Sequence, residues 1–313
     1  MSHFQLPWRA IINPAAARGR AKIQWMKWLP QLQAKLPQLE WAFSEEPGHA
    51  TQLAKEWVGA GCRYLIAVGG DGTHHEVVNG LIQALGPERA KEVLYSLLPL
   101  GSGNDWIRTY GQKRGLTNWL QLLERGQPSK QNIGQIQYRD SNGQIASRYF
   151  ANVAGMAYDA FVVRQSAKHP FKRKLLYPLL TLLLLHKFKP PHLRLEYDQE
   201  PALETQFYTI NLGIGRYSGG GMRLVPQAEP AAERMALTYA KKLAIHRILL
   251  HSWRFYTGSI GQVKEVSCTH ASAVKVSAPK DAQKLEIEAD GEWLGYGPVE
   301  VVVLPQVLQF LKF

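Results

Sequence analysis

The sequence predicts an N-terminal Rossmann-like parallel α/β nucleotide domain followed by an antiparallel β-sandwich domain with helical insertions. Three observations carry this. Strand-like and helix-like segments alternate through the first 128 residues, as in a parallel sheet with helices on its faces. After Gln127-Pro128 the pattern changes to strands of alternating apolar and polar residues joined by tight turns, the mark of antiparallel sheets. Third, loops rich in glycine or asparagine follow three first-half strands, where parallel sheets hold ligands. At 313 residues the chain exceeds one compact core. We expect domains at 1–128 and 129–313, with the extreme C-terminus packing back on the first.

In order, Trp8–Asn13 reads as a strand closed by Asn13-Pro14, and Arg20–Lys35 as a helix. Leu39–Glu45 is the second strand, His49–Gly59 the second helix and Arg63–Val68 the third strand. A glycine turn then opens a helix from His74 to Leu85, and Val93–Leu100 runs into a second glycine turn. In the second half, Asn132–Arg139 and Gln144–Gly155 flank Asn142-Gly143, a strong hairpin signal. Strands are expected at His192–Tyr197, Gln206–Ile214, Arg234–Ala240, Gln262–Cys268, Ala273–Ala278, Lys284–Ala289, Pro298–Leu304 and Val307–Phe313. Helices interrupt them at Asp159–Gln165, Leu175–Leu185 and Ile245–Tyr256.

The net charge of +12 fits an anionic membrane surface, acidic substrates or nucleic acid. Nucleic acid is the weakest of these, because no RNA-binding signature or zinc finger accompanies the charge. Two cysteines, Cys62 and Cys268, cannot build a disulfide framework, and their apolar settings read as core positions in a reducing compartment. The N-terminus lacks the basic start and apolar run of a signal peptide, so a cytoplasmic protein is expected. Leu175–Leu185 is too short to span a bilayer. Lys172, Arg173 and Lys174 precede it and Lys187 and Lys189 follow, so it reads as a buried helix or as one resting on an anionic membrane.

The chemistry lies in the loops. In Val68–Leu81, Gly69, Gly70 and Gly72 let the backbone approach phosphate oxygens, and Thr73 can cap the helix or donate a hydroxyl. Asp71 in a phosphate cradle is explained by a magnesium–nucleotide complex or by proton acceptance from an attacking hydroxyl. Gly101, Ser102, Gly103 and Asn104 form a second flexible polar loop; Asn13, Arg18 and Arg20 stand at the first strand's end. His74 and His75 are adjacent on a helix start and are expected on its exposed side. The chain has no P-loop, kinase catalytic loop, HExxH spacing or serine nucleophile elbow.

Together the segments IINPAAARGRA, VGGDGTHHEVVNGL, LPLGSGNDWIRTYG, YSGGGMRLVPQAEP and ADGEWLG resemble the diacylglycerol kinase catalytic domain family, lipid kinases that include sphingosine and ceramide kinases. GGDGT alone is shared with NAD kinases and 6-phosphofructokinases; PLGSGND and the late DGE narrow the choice. The resemblance implies ATP-dependent phosphorylation of a lipid hydroxyl, diacylglycerol-like by default, with Mg2+ and peripheral contact with an anionic membrane. It implies that Asn13, Gly69–Thr73 and Gly101–Asn104 line the nucleotide, that Glu76 supports them, and that Asp290 and Glu292 reach the phosphates and metal. Asp71 or Glu292 would be the base.

The sequence departs from the family pattern in three places. Asn132 stands where an acid is usual and could bond a lipid hydroxyl. Ala231 and Ala232 replace acids, against a structural magnesium there, and Ile214-Gly215 replaces Asn-Gly. The rival readings are a soluble-substrate kinase of the NAD kinase type and a catalytically inactive nucleotide- or lipid-binding regulator.

Overall fold

The computed structural model describes residues 3–101, 103–167, 181–279 and 285–313. The chain divides into two compact units, 1–132 with 304–313, and 133–303.

Unit 1 is a parallel sheet covered by helices. Its strands are β1 (Arg9–Ile12), β2 (Glu40–Phe43), β3 (Tyr64–Gly69) and β4 (Leu94–Pro99). The register runs β2–β1–β3–β4, and Gln309 and Phe310 of the C-terminal strand add parallel to β4. The helices are the short turn α1 (Ala16–Gly19), α2 (Ala21–Lys35), α3 (His49–Gly59), α4 (Asp71–Leu85), α5 (Pro87–Ala90), α6 (Asp105–Thr109) and α7 (Leu116–Arg125). Trp8, Trp25, Ile66, Val68, Leu98, Trp119 and Leu311 form one buried cluster. Each such side chain contributes about 1.5–3 kcal/mol by leaving water. Helix α4 crosses α3 at Gly80, where an added Cβ would lie 2.3 Å from the Thr51 carbonyl oxygen.

Helix α4 begins three residues earlier than expected, so Asp71, Gly72 and Thr73 belong to its first turn. Its N-cap is Gly70, not Thr73. Thr73 is buried, with Oγ1 only 2.2 Å from where a Cβ on Gly69 would stand. The expectation that Thr73 caps the helix is therefore corrected: its side chain fills the space a glycine leaves.

Strand β5 (Gln127–Arg139) carries the chain from the first unit into the second. Unit 2 contains β6 (Ile145–Phe150), β7 (Val153–Ala157), α8 (Tyr158–Ala167), β8 (His192–Tyr197), β9 (Leu203–Gly213) and β10 (Met235–Lys241). Helices α9 (Ile245–His251) and α10 (Arg254–Thr257) follow, then β11 (Val266–Ala271), β12 (Ala273–Ser277), β13 (Glu286–Ala289) and β14 (Glu292–Lys312). Strands β7, β9, β8, β12, β14 and β13 pair antiparallel in a closed ring, and β10 and β11 extend from β9. Closure removes the open edges that an antiparallel sheet would otherwise expose. Phe150, Phe207, Ile210, Leu237, Ile287 and Val301 are among its core.

Two expected C-terminal strands are one continuous strand, β14, whose backbone turns left-handed at Gln306 after Pro305. Cys268 is exposed rather than core, because β11 is an edge strand; Cys62 is buried. Residues 172–180 of the basic and leucine-rich region lie outside the described residues. Leu184 and Leu185 are buried, whereas Leu182 and Leu183 are exposed. Among the described residues, no helix is long and apolar enough to cross a membrane.

Candidate active site

In unit 1 the two glycine loops touch backbone to backbone. A Cβ on Gly101 would meet Gly70 Cα at 2.4 Å, and one on Gly70 would meet Gly101 Cα at 3.0 Å. The amides of Leu100 and Gly101 both donate to the Gly69 carbonyl, at 2.7 and 3.0 Å. Only glycine permits this approach. Ser102, the fourth residue of the predicted loop, lies outside the described residues.

Asp71 does not face an empty turn. Its Oδ1 accepts the Asp105 and Trp106 amides at 2.7 and 3.3 Å, placing a carboxylate at the start of α6. A Cβ on Gly103 would come within 2.7 Å of its Oδ2. Desolvation first, and then the charge of Asp105, push the Asp71 carboxyl up to about 6, against three backbone amides that lower it. Arg108 lies 3.5 Å from Asp105 as an ion-pair partner.

The remaining predicted residues shape this corner in different ways. Asn104 is fully buried in a left-handed conformation and donates to the Gly101 carbonyl at 2.8 Å, fixing the loop from behind. Glu76 accepts the Ala50 amide at 3.1 Å, so its carboxylate tethers the start of α3. Asn13 spends Oδ1 on the Ala15 amide at 2.9 Å, an Asx turn; Arg18 and Arg20 are exposed. Asn132 is buried, and its Oδ1 accepts the Gln306 amide at 2.9 Å, joining two backbone segments of unit 1.

His74 and His75 correct another expectation: both are buried. His74 hydrogen-bonds Tyr95 at 2.7 Å and lies 4.4 Å from the Trp106 ring, which packs in turn on Tyr110 and Phe310. Helix α4 is enclosed on nearly all sides, so its polar residues form part of an aromatic platform under the loops. Sequence reasoning missed this platform, and also Arg108 and Arg114, whose guanidinium groups meet the Gly103 carbonyl at 3.2 and 2.9 Å. Their six-residue separation is no motif; the loop's geometry brings them together.

In unit 2, Asp290 and Gly291 form the two-residue turn between β13 and β14, both with positive φ. This is the geometry an Asp-Gly pair favours in a hairpin. The Asp290 carboxylate accepts the amides of Ala151, Asn152 and Val153, each at 3.0 Å, which pins the turn to the start of β7. Glu292, next in the chain, is exposed. Glu288 is buried and accepts the Gly291 amide at 2.8 Å. Desolvation holds its carboxyl well above the usual range, with Asp159, Asp290 and Glu292 adding to the rise. Among the described residues, no three acidic, histidine or cysteine side chains are grouped to hold a metal ion.

Unit 2 also encloses a cavity of about 210 Å³ between α8, β9, β10, α9 and α10. Leu185, Met222, Leu224, Ile260, Val263 and Val266 give it apolar walls. Its polar groups include Asp159, Tyr208, Thr209 and Asn211. Thr209 donates to the Asp159 carboxylate, and Asn211 donates to Thr209 at 3.2 Å. Burial raises the Asp159 carboxyl. Tyr208 Oη and Asn211 Oδ1 are buried with no hydrogen-bond partner among the described residues. A methyl group on Gly155 would lie 2.5 Å from Glu288 Oε1, 2.9 Å from Asp159 Cβ and 3.1 Å from Asn211 Oδ1. The polar end of the cavity therefore adjoins the support of the Asp290-Gly291 turn. No sequence signal marked this cavity, because its lining is spread from Tyr158 to Val266.

Comparison with known proteins agrees with both units. Residues 7–136 match the model of the diacylglycerol kinase catalytic domain, and 152–312 that of the YegS C-terminal NAD kinase beta sandwich-like domain. A Bacillus subtilis (strain 168) protein provisionally named as the lipid kinase YtlR is 26% identical over 99% of each chain. A diacylglycerol kinase of the same organism is 28% identical over 95% of this chain and 93% of its own. The crystal structure of a protein from Bacillus anthracis str. Sterne, provisionally described as a diacylglycerol kinase, superposes with a TM-score of 0.77. That match covers 98% of this chain and 95% of the other at 20% identity, and so speaks to the fold alone. With its two halves matched in order, the chain belongs to the diacylglycerol kinase catalytic domain family with a YegS C-terminal NAD kinase beta sandwich-like domain.

Proposed function

We propose that the protein transfers the γ-phosphate of ATP to a hydroxyl of a lipid, diacylglycerol-like by default, at a membrane surface. The observation that carries this is the unit 2 cavity: apolar walls, with two buried polar atoms, Tyr208 Oη and Asn211 Oδ1, left unpaired among the described residues. Buried polar groups almost always have partners. A hydroxyl entering this cavity could accept from Tyr208 and donate to Asn211, while a hydrocarbon chain lies along the walls.

The glycine loops of unit 1 suit the triphosphate. The first-turn amides of α4 have no partners within the helix, and such amides, with the helix dipole, favour anions. Gly70 and Gly101 leave no side chain in the way, and Arg108 and Arg114 supply positive charge beside Gly103. A divalent cation fits this corner, since Asp71 is a desolvated carboxyl raised further by Asp105. Mg2+ is ordinarily held by one or two carboxylates plus phosphate oxygens and water. Asp71 would hold it, and the ion would neutralise charge on the phosphates.

Glu292 is then the proton acceptor. The lipid oxygen attacks the γ-phosphorus, the bond to the bridging oxygen of ADP breaks, and the hydroxyl proton passes to the Glu292 carboxylate. Asp290 acts by positioning, through the three amides that fix its turn.

The test is transfer of labelled γ-phosphate from Mg·ATP to diacylglycerol, monoacylglycerol, ceramide, sphingosine and phosphatidylglycerol in mixed micelles. Label on one lipid, lost in Asp71→Asn and reduced about 10²–10⁴-fold in Glu292→Gln with ATP binding retained, is the expected result. ATP binding with no lipid labelled would favour the inactive regulator; label on NAD instead would favour a soluble-substrate kinase.

A further inference from the structure

The same cavity sets a limit on how a lipid can occupy it. An apolar cavity of roughly 150 Å³ holds benzene; at about 210 Å³ this one holds a head group or part of one chain, not two acyl chains. If the substrate is a diacyl lipid, as proposed above, most of it stays outside while the hydroxyl is engaged.

Of the lining residues, Leu182 and Tyr256 are the most exposed, at 37% and 50%, and we take them to mark the rim. Tyr256 belongs to α10, and the α9–α10 segment carries large apolar side chains both towards the cavity and away from it. Ile248, His251, Ser252, Phe255 and Tyr256 line the cavity. Ile245, Leu249, Leu250 and Trp253 do not line it, yet they are exposed, Leu250 at 66% and Trp253 at 53%. The apolar face of a helix is normally turned to a core. Here the outward face is exposed, and it belongs to the same segment as Tyr256, which lines the cavity.

Charge says what covers it. No acid occurs between Lys241 and Lys264, a stretch holding Lys241, Lys242, Arg247, Arg254 and Lys264 with His246 and His251. Glu265, just beyond, is engaged by Arg247. The Arg254 guanidinium lies 4.7 Å from the Trp253 ring centroid, a basic group over an interfacial aromatic. Lys187 and Lys189 follow the rim segment of Leu182 and are exposed. Exposed leucines and tryptophan among bases match the headgroup–acyl boundary of an anionic bilayer.

We propose that the outer face of α9–α10, formed by Ile245, Leu249, Leu250 and Trp253, seats the protein on an anionic phospholipid bilayer. The cavity rim then lies at the bilayer surface, and a lipid passes its head group inward between Leu182 and Tyr256 without leaving the membrane. This rests on the lipid-kinase reading, and the experiment separates the two.

The full chain is sedimented with phosphatidylcholine vesicles with and without phosphatidylglycerol, beside a Leu250→Glu/Trp253→Ala variant. Both substitutions are at exposed positions, and unchanged thermal melting confirms folding. Wild type is expected to bind the phosphatidylglycerol vesicles, more weakly at high salt, and the variant to lose roughly tenfold or more in partitioning. Phosphorylation of a short-chain, water-dispersed diacylglycerol should be equal in both, while that of vesicle-embedded diacylglycerol falls in the variant. Equal vesicle binding by both proteins would overturn the docking face. So would a vesicle-free dimer dispersed by the same substitutions, since that would make the face a contact between copies. Vesicle binding lost in the variant, with no lipid phosphorylated by either protein, would sink the kinase reading while leaving the docking face standing.

Discussion

The glycine corner of unit 1 and the cavity of unit 2 are built from opposite materials. The corner is made by backbone: Gly70 and Gly101 touch through their α-carbons, and Asp71 is held by amides. The cavity is made by side chains from α8, β9, β10, α9, α10, β11 and the segments between them, with polar groups that satisfy one another only in part. A backbone cradle suits a ligand part that never changes, such as a phosphate chain. A side-chain cavity suits a part that differs among lipids, because exchanging one lining residue changes its shape without disturbing the strands beneath.

The largest effect should come from Asp71→Asn, which tests whether the corner sacrifices stability for function. Phosphorylation should fall by at least about 10²-fold, in the range seen when one catalytic electrostatic contact is lost. Stability should move the other way. The folded Asp71 carboxyl keeps its proton to about pH 6, whereas the unfolded one releases it near 3.8. Stability is therefore lost as pH rises between those values and stays lower above them. Asparagine can still accept the Asp105 and Trp106 amides without the charge. Thermal melting of the variant should exceed wild type at pH 8, by on the order of 1–2 kcal/mol, and match it near pH 4. A variant less stable at pH 8 would mean that Asp71 is structural.

Gly101→Ala attacks the backbone contact itself. The new Cβ would meet Gly70 Cα at 2.4 Å and Asn104 Oδ1 at 2.6 Å, neither of which can rotate away cheaply. We expect a loss of about 1–3 kcal/mol of stability from overpacking and an ATP affinity reduced by more than about tenfold. Calorimetric titration of ATP checks the second. A Gly111→Ala control sits at a left-handed turn with open space around it, and should cost stability without the same loss of ATP affinity.

These differences explain what could be read in the sequence. Unit 1's strand and helix order, and the loops at Gly69–Thr73 and Gly101–Asn104, were legible because backbone demands leave glycines at fixed local spacing. The side-chain roles inside them were not: Thr73 filling Gly69's space, Glu76 tethering α3 and His74 lying under Trp106 depend on contacts that periodicity does not encode. Most strands of unit 2 were legible from alternation, but the closed ring was not, since β8–β12 and β9–β8 pairing is decided by distant partners. The cavity left no trace because Asp159, Asn211 and Phe255 read separately as ordinary residues of a helix, a strand and another helix.

Glu288→Gln carries the comparison into unit 2. Glu288 is buried beside Asp159, and its raised carboxyl stays protonated well beyond the ordinary value of 4.5. Its folded form binds a proton that the unfolded chain has released, so stability falls as pH rises from that value towards the raised one. Glutamine keeps the neutral shape and an oxygen for the Gly291 amide. The melting temperatures of variant and wild type should nearly coincide at pH 4.5 and separate in favour of glutamine as pH rises. Parallel curves would show that Glu288 is paired with a positive charge in solution.

The smallest effect, and the sharpest for the cavity, is Tyr208→Phe. The Tyr208 hydroxyl is buried with no partner among the described residues, and burial pushes it above its ordinary value. Removing it should leave the unliganded protein equally or more stable, because a buried orphan costs about 1–3 kcal/mol. If a lipid hydroxyl supplies the missing partner, the variant loses one hydrogen bond worth about 0.5–1.5 kcal/mol on binding. The KM for the lipid should then rise roughly two- to tenfold with the KM for ATP unchanged. Asp71→Asn should disturb the ATP side, so the two variants together place each substrate on its own unit. A Tyr208→Phe protein that is more stable and equally active would show that the lipid's polar end lies elsewhere, and that this hydroxyl is only a tolerated cost of the fold.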